Sequence, residues 1–488
     1  MLFNSLLFIF IFMPISIIGY FFLTRKKLII ASKIWMCLAS FVFYANWNPK
    51  YLYILLSSIF FNYLTARVIN SDAREQHVKK IVLFIGVAVN LVALGYYKYM
   101  DFFISNFNHL FKTDIALLNL ALPLAISFFT FQQIAFLVDS YHGKIKDSDF
   151  INYTFCVTFY PHLIAGPILH YAELMPQVEE IKNKLLNYKN LSIGIVLFTI
   201  GLFKKAVLAD TFSEYVKYGF DEAQSLSVIE GWLVSLSYTF QIYFDFSGYS
   251  DMAIGIGKMF NLNLPLNFNS PYKAVSIQDF WKRWHMTLSR FFRDYVYIPL
   301  GGSKGGRLKT YRNLWITFLL TGIWHGASWM FVLWGTIHGV ALTICRISKN
   351  VKIYVNEKAL TLNRKFSIFI TFLFVNFAWV FFRAEKGAQA KKILRAMKGK
   401  TEFLLPRFYH LDIKFSGGGH VYEKMSLFLI LAFVLVFISK NSTEIAEKFS
   451  INSRKELILK SLFIAAVFII SLYKIIFVPY TEFIYFNF

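Results

Sequence analysis

The sequence is short of charge and nearly without cysteine. Of its 488 residues only 16% are Asp, Glu, Lys or Arg, against 57% hydrophobic, and the mean hydropathy is +0.50. A chain so poor in charge cannot clothe a water-soluble globule. The three cysteines, Cys37, Cys156 and Cys345, lie in apolar surroundings without paired spacing. That argues against a disulfide framework or a thiolate metal centre and makes them packing residues. Acid is scarcer than base, 28 Asp and Glu to 51 Lys and Arg, for a net charge of +23. The excess base is scattered through short loops between apolar runs, which fits the positive-inside bias of membrane proteins and not a nucleic-acid surface. A long linker and an internal repeat are also missing. One integral domain, 1–488, with a polar connecting segment at 384–424, is therefore expected.

What is abundant is apolar runs. Stretches of spanning length or slightly less fall near 1–24, 29–46, 51–69, 81–97, 115–138, 150–168, 191–209, 228–246, 313–345, 366–382, 424–439 and 457–478, about a dozen segments, some re-entrant. The expected fold class is all-α, integral to the membrane and polytopic. The first run has no basic residue before its core and is followed by Arg25-Lys26-Lys27, so it reads as a retained helix with its N terminus outside. Arg67, Arg74, Lys79 and Lys80 come two spans later, on the same, cytoplasmic side.

The run 313–345 holds no Lys, Arg, Asp or Glu, yet contains His325 within Gly322-Ile323-Trp324-His325-Gly326-Ala327. A titratable ring at membrane depth is a candidate functional residue by default. Gly322 and Gly326 suggest an interrupted helix around it, tolerated in lipid only where protein or a wet cavity covers the backbone. A buried reaction chamber is the expectation.

Residues 276–297 form the second informative element. At 100° per residue Ile277, Phe280, Trp281, Trp284, Leu288, Phe291 and Tyr295 share one face, with Lys282, Arg283, Arg290, Arg293 and Asp294 elsewhere; an amphipathic helix in the membrane interface is expected. His285 lies on the flank of the apolar face. The arginines, with Lys304, Arg307, Lys309 and Arg312, suit either a phosphorylated ligand or anionic membrane lipids. Asp245 and Asp251, beside a long apolar run, need donors and read as structural polar residues. His338 reads as a packing residue. The segment 301–307 lacks the Gly-Lys-Ser/Thr ending of a phosphate loop, and His162 and His170 lack zinc-helix spacing, so no metal is expected. The basic stretch 388–400, followed by Gly417-Gly418-Gly419, reads as an ordinary loop, a membrane-surface element or a partner contact.

Taken together, the 322–327 segment, 243–251, Asp279-Phe280-Trp281-Lys282-Arg283-Trp284-His285, 122–132, 163–168, 297–302 and the terminal 483–488 give a chain that resembles the membrane-bound O-acyltransferase family. Within that family it is similar to the bacterial polysaccharide O-acetyltransferase branch, which includes the alginate and peptidoglycan acetylation subunits. It departs from the branch at Ala125, where glycine is common, and at Tyr160-Pro161-His162, where the family has Phe-Pro-Gln. The resemblance implies a ring of transmembrane helices around a central funnel, with His325 and His285 as the catalytic pair. His325 would act as general base, and His285 would position or polarise a thioester carbonyl. Trp324, Arg283, Arg290 and Arg293 are candidates for substrate binding. The resemblance further implies no bound cofactor, acetyl-CoA as the acyl donor, an exported acetyltransferase partner, and a place in the bacterial cytoplasmic membrane. Peptidoglycan is favoured over alginate as the polymer. A transporter would need broken helices in two related halves, and a non-catalytic export scaffold would tolerate His325→Ala.

Overall fold

Lipid leaves no water to satisfy backbone N–H and C=O groups, so a spanning chain must bond them within itself. The computed structural model, which describes residues 1–146, 148–350, 354–355, 358–359, 363–401, 421–448, 454–478 and 483–484, is accordingly helical. Among the described residues the exception is a two-residue antiparallel pairing of Tyr354–Val355 with Lys358–Ala359. Among the described residues seven helices are long and apolar enough to cross a membrane: Phe8–Arg25, Lys50–Asn70, Gln76–Phe111, Tyr188–Glu222, Trp329–Ile347, Arg364–Arg383 and Leu457–Phe477. Ile29–Ala45 and Met425–Phe437 are apolar but shorter. The 417–419 glycines, most of the polar segment (402–420), and 485–488 of the terminal motif lie outside the described residues.

Several apolar runs are apolar because protein, not lipid, surrounds them. The run 115–138 becomes helical only at Ile126–Tyr141, after Pro123 and Ala125, and that helix is buried nearly all round. Ala125 sits at φ 61°, a left-handed conformation that costs an alanine roughly 1–2 kcal/mol and a glycine almost nothing. Glycine at this position in the related branch thus has a physical reason. The run 150–168 divides at Phe159 into Phe150–Thr158 and Tyr160–Leu163, with Pro161 in the second piece's first turn.

At the centre runs Val228–Met259, 32 residues, opened by a capping box in which Ser227 and Glu230 satisfy each other's backbone N–H. It packs backbone to backbone on Tyr188–Phe203. A Cβ on Gly248 would lie 2.7 Å from the Gly201 carbonyl oxygen, and one on Gly255 2.7 Å from that of Gly194, the small-residue contact that draws helices together in lipid.

Those pairings run in opposite senses, so the helices are antiparallel and define two ends of the bundle. Phe260 packs on Tyr20 and Phe21, placing the Arg25–Lys27 loop at one end. Arg383 bonds Asp221, and Lys392 bonds the carbonyls of Phe220 and Ala223, placing the helix Gly387–Met397 at the other. Met330 touches Gly387, so Trp329–Ile347 starts at this second end and carries Arg346 toward the first.

The segment 276–297 is not one amphipathic helix. It is Ile277–Trp281, a break, Met286–Phe292 and a π-helical turn Arg293–Tyr297, and the break falls where His285 adopts φ 41°. The sidedness survives: Phe280, Trp281, Trp284, Leu288 and Phe291 are buried, and Lys282 and Arg293 are exposed.

Candidate active site

His325 ends the helix Arg307–His325, and Gly326-Ala327-Ser328 turns the chain into the next helix. Gly326 has an extended φ of −177°, open to any residue. Glycine is required for space, since a Cβ there would lie 2.3 Å from the Phe331 ring. A helix end leaves carbonyls unsatisfied, and here another helix supplies the donors. Lys98 Nζ donates to the Trp324 carbonyl at 2.5 Å, and the Tyr99 hydroxyl donates to that of Ile323 at 2.8 Å. Both donors sit in a π-helical turn, Gly95–Tyr99, set into the Gln76–Phe111 span; such turns recur at functional sites. Lys98 also donates to Ser127 Oγ at 3.0 Å.

The buried His325 ring is caged by aromatic rings, with centroids at 4.9 Å for Trp324, 5.0 Å for Phe382 and 5.1 Å for Trp334. His285 is equally buried, and Trp324 packs against both histidines, 6.3 Å from His285. The Thr287 backbone N–H and hydroxyl both donate to Asn267 Oδ1, at 3.4 and 2.9 Å, which fixes that atom as an oxygen. His285 Nδ1, 3.1 Å from the same oxygen, must therefore carry a proton and donate it, which makes Nε2 the acceptor in the neutral ring.

Two cavities approach this centre. One of about 230 Å³ is lined by Trp281, Leu288, Phe292, Arg293, Thr317, Thr321 and Arg346. It reaches Thr321, one turn before His325, and carries its arginines toward the Arg25 end. The other, about 180 Å³, is lined by Tyr96, Tyr97, Lys98, Asp101, Leu122, Gly326 and Ala327. It lies toward the opposite end, where Trp329 Nε1 donates to Asn106 Oδ1 at 2.8 Å.

His325, His285 and Trp324, chosen from the sequence, thus come together. The arginines do not. Arg283 Nε bonds Asp279 at 2.9 Å, Arg290 grips both Glu173 oxygens at 2.6 and 3.0 Å, and Arg293 lines the first cavity while paired with Asp294. Arg346, unremarked in the sequence, lines the cavity too. Asp245 and Asp251 sit on the central helix, whose Phe246 packs on His285 with ring centroids 4.6 Å apart, but their own carboxylates are held by lysines. Lys205 bridges Asp245 and Asp210 at 2.7 and 2.8 Å, while Lys204 bonds Asp251 at 2.7 Å. His338 accepts from Trp281 Nε1 at 3.2 Å. Among the described residues no cluster of potential metal ligands occurs. Sequence reasoning missed Lys98, although a lysine inside a span was a signal in its own right.

A multi-pass membrane protein with an imidazole pair enclosed among its helices defines the general class. The chain belongs to the membrane-bound O-acyltransferase family, whose model matches residues 51–383. It is therefore an acyltransferase. It is 48% identical over 425 residues to the peptidoglycan O-acetyltransferase of Helicobacter pylori, covering 82% of this chain and 80% of that protein. To the probable alginate O-acetylase of Pseudomonas aeruginosa it is 37% identical over 402 residues, covering 81% and 75%. The teichoic acid D-alanyltransferase of Bacillus subtilis is 27% identical over 276 residues, 54% of this chain and 69% of that one.

Proposed function

We propose that this acyltransferase takes an acetyl group from acetyl-CoA on the cytoplasmic side and passes it across the cytoplasmic membrane to an exported partner that O-acetylates peptidoglycan. The observation that carries this reading is that Thr321, one turn before His325, lines one cavity and Gly326, the residue after it, lines another, the two extending toward opposite ends of the bundle. The similarity to a peptidoglycan O-acetyltransferase over most of both chains favours that polymer over alginate. The arginine-lined cavity suits the phosphates of the donor, and the Lys98 cavity suits the acceptor hydroxyl. His325 takes the hydroxyl proton, the oxygen attacks the thioester carbonyl, and the tetrahedral adduct expels the CoA thiolate, which recovers the proton. His285, its Nδ1–H committed to Asn267, orients the hydroxyl through Nε2 rather than polarising the carbonyl. Trp324 packs against both rings and fixes their separation. Purified protein given labelled acetyl-CoA should turn over slowly with glycan alone and much faster with the partner added; efficient partner-independent acetylation of glycan would refute the relay.

Lys98 holds the carbonyl end of the His325 helix through a hydrogen bond whose loss would leave a buried carbonyl without its donor, at a cost of roughly 1–3 kcal/mol. Lys98→Met should lower kcat by about 10–100-fold while leaving the KM for the donor nearly unchanged, with Lys98→Arg recovering part of the loss. A change in donor KM alone would remove Lys98 from this role. The orientation follows from the early basic loops: a cysteine at Ser71 should resist a membrane-impermeant thiol reagent in intact cells and react once the membrane is opened. Labelling from outside would reverse the topology.

A further inference from the structure

Basic residues gather at both ends of this bundle, whereas the charge bias that orients membrane proteins explains an excess at only one. The second cluster is on the helix Gly387–Met397 and its C-terminal cap, at the end opposite Arg25–Lys27. Lys391, Arg395 and Lys398 are exposed and share one helical face. Like charges at these spacings repel one another. Among the described residues none of the three has a carboxylate partner. Together they rim a groove of about 360 Å³ whose floor is apolar, formed by Leu333, Phe381 and Leu394. Leu333 belongs to the Trp329–Ile347 span and Phe381 to Arg364–Arg383. Leu333 is 38% exposed on a span whose surface is mostly left uncovered by protein. The floor thus opens onto the uncovered side of a candidate span, and the rim lies at the end where that span begins.

We propose that this groove is a binding site for an anionic phospholipid, with an acyl chain on the Leu333–Phe381–Leu394 floor and the phosphate held by Lys391, Arg395 and Lys398. Neither half of the groove suits a simpler ligand. A free inorganic anion gains nothing from an apolar floor, and a neutral lipid gains nothing from the exposed cations around it. Basic residues at a membrane surface each contribute to holding an anionic headgroup, and a negative charge among the three offsets their mutual repulsion. The site is independent of the acyl-transfer chemistry at His325.

The test uses the full chain purified in a mild neutral detergent, with native mass spectrometry and thermal unfolding read during titration with phosphatidylglycerol, phosphatidylcholine or inorganic phosphate. Phosphatidylglycerol should be retained by the protein and raise the unfolding temperature, and the other two should do neither. Lys391→Gln with Arg395→Gln should weaken phosphatidylglycerol binding by about 30-fold. If that pair does not fold, Lys398→Gln alone should weaken it by about five-fold. Equal stabilisation by phosphatidylcholine would reduce the site to an apolar groove, and equal stabilisation by phosphate would make it a free-anion site. Unchanged phosphatidylglycerol binding in a folded variant would move the lipid elsewhere. Loss of partner-dependent acetyl transfer with lipid binding intact would assign the cations to an acidic protein surface instead. Each of these four results overturns the proposal.

Discussion

Replacing His325 with alanine is expected to lower acetyl transfer by roughly 10²–10⁴-fold, the usual cost of losing a general base, in a protein that still inserts and folds. The ring is enclosed by Trp324, Trp334 and Phe382, so truncation also leaves a small apolar void. That packing loss appears in melting temperature and abundance, whereas loss of the base appears in turnover per folded molecule. Measuring both on the same purified sample separates them. A folded variant that transfers acetyl at near the normal rate would take His325 out of the chemistry. His285→Ala should give a smaller defect, because the remaining base still accepts the proton.

The second large effect concerns stability. Lys205 lies buried between Asp245 and Asp210, and Asp245 also accepts the backbone N–H of Ile484 at 2.8 Å. Lys205→Met would strand a carboxylate at membrane depth. Breaking one side of a buried ion pair costs about 3–5 kcal/mol, enough to lower the unfolding temperature sharply. Replacing Lys205 together with its more deeply buried partner, Lys205→Met with Asp245→Asn, should recover much of that loss, because the fully buried carboxylate is then gone and the remaining one, Asp210, is 15% exposed. If the double variant is as unstable as the single one, the pair is not the source of the loss, and the defect lies in side-chain packing around the central helix.

How much of the site was legible depends on whether the signal was local. His325 stood out because a charge-free run cannot hide a titratable ring, and its flanking glycines foretold the break that the turn at Gly326 makes. His285 was placed on the correct flank, but helical periodicity assumes an unbroken helix and cannot register a residue at positive φ. The break is set by Asn267, whose backbone carbonyl accepts from Met286 N–H and whose side chain gathers His285 and Thr287, contacts that no window of sequence contains. Lys98 was missed because a charged residue was taken to end the run 81–97, whereas the helix continues to Phe111 and uses the lysine inside it. Lys204 and Lys205 lay unremarked within the run 191–209 for a different reason: a buried lysine is tolerable only with its carboxylate, and Asp251 and Asp245 arrive from a later helix. The sequence leaves the arginines of 276–297 free for either a phosphorylated ligand or anionic lipid. Asp279 was visible four residues from Arg283, but Glu173, which holds Arg290, comes from a distant helix.

The most direct test of a transmembrane acetyl relay is sided. The protein, reconstituted in one orientation into sealed vesicles, would receive labelled acetyl-CoA at the face bearing the Arg25–Lys27 loop and the exported partner at the other face only. Label should appear on the partner across the intact membrane, and His325→Ala should abolish it without making the vesicles leak. Label reaching the partner only when both components share one face, or passing at equal rate through the His325→Ala protein, would contradict transfer through the bundle.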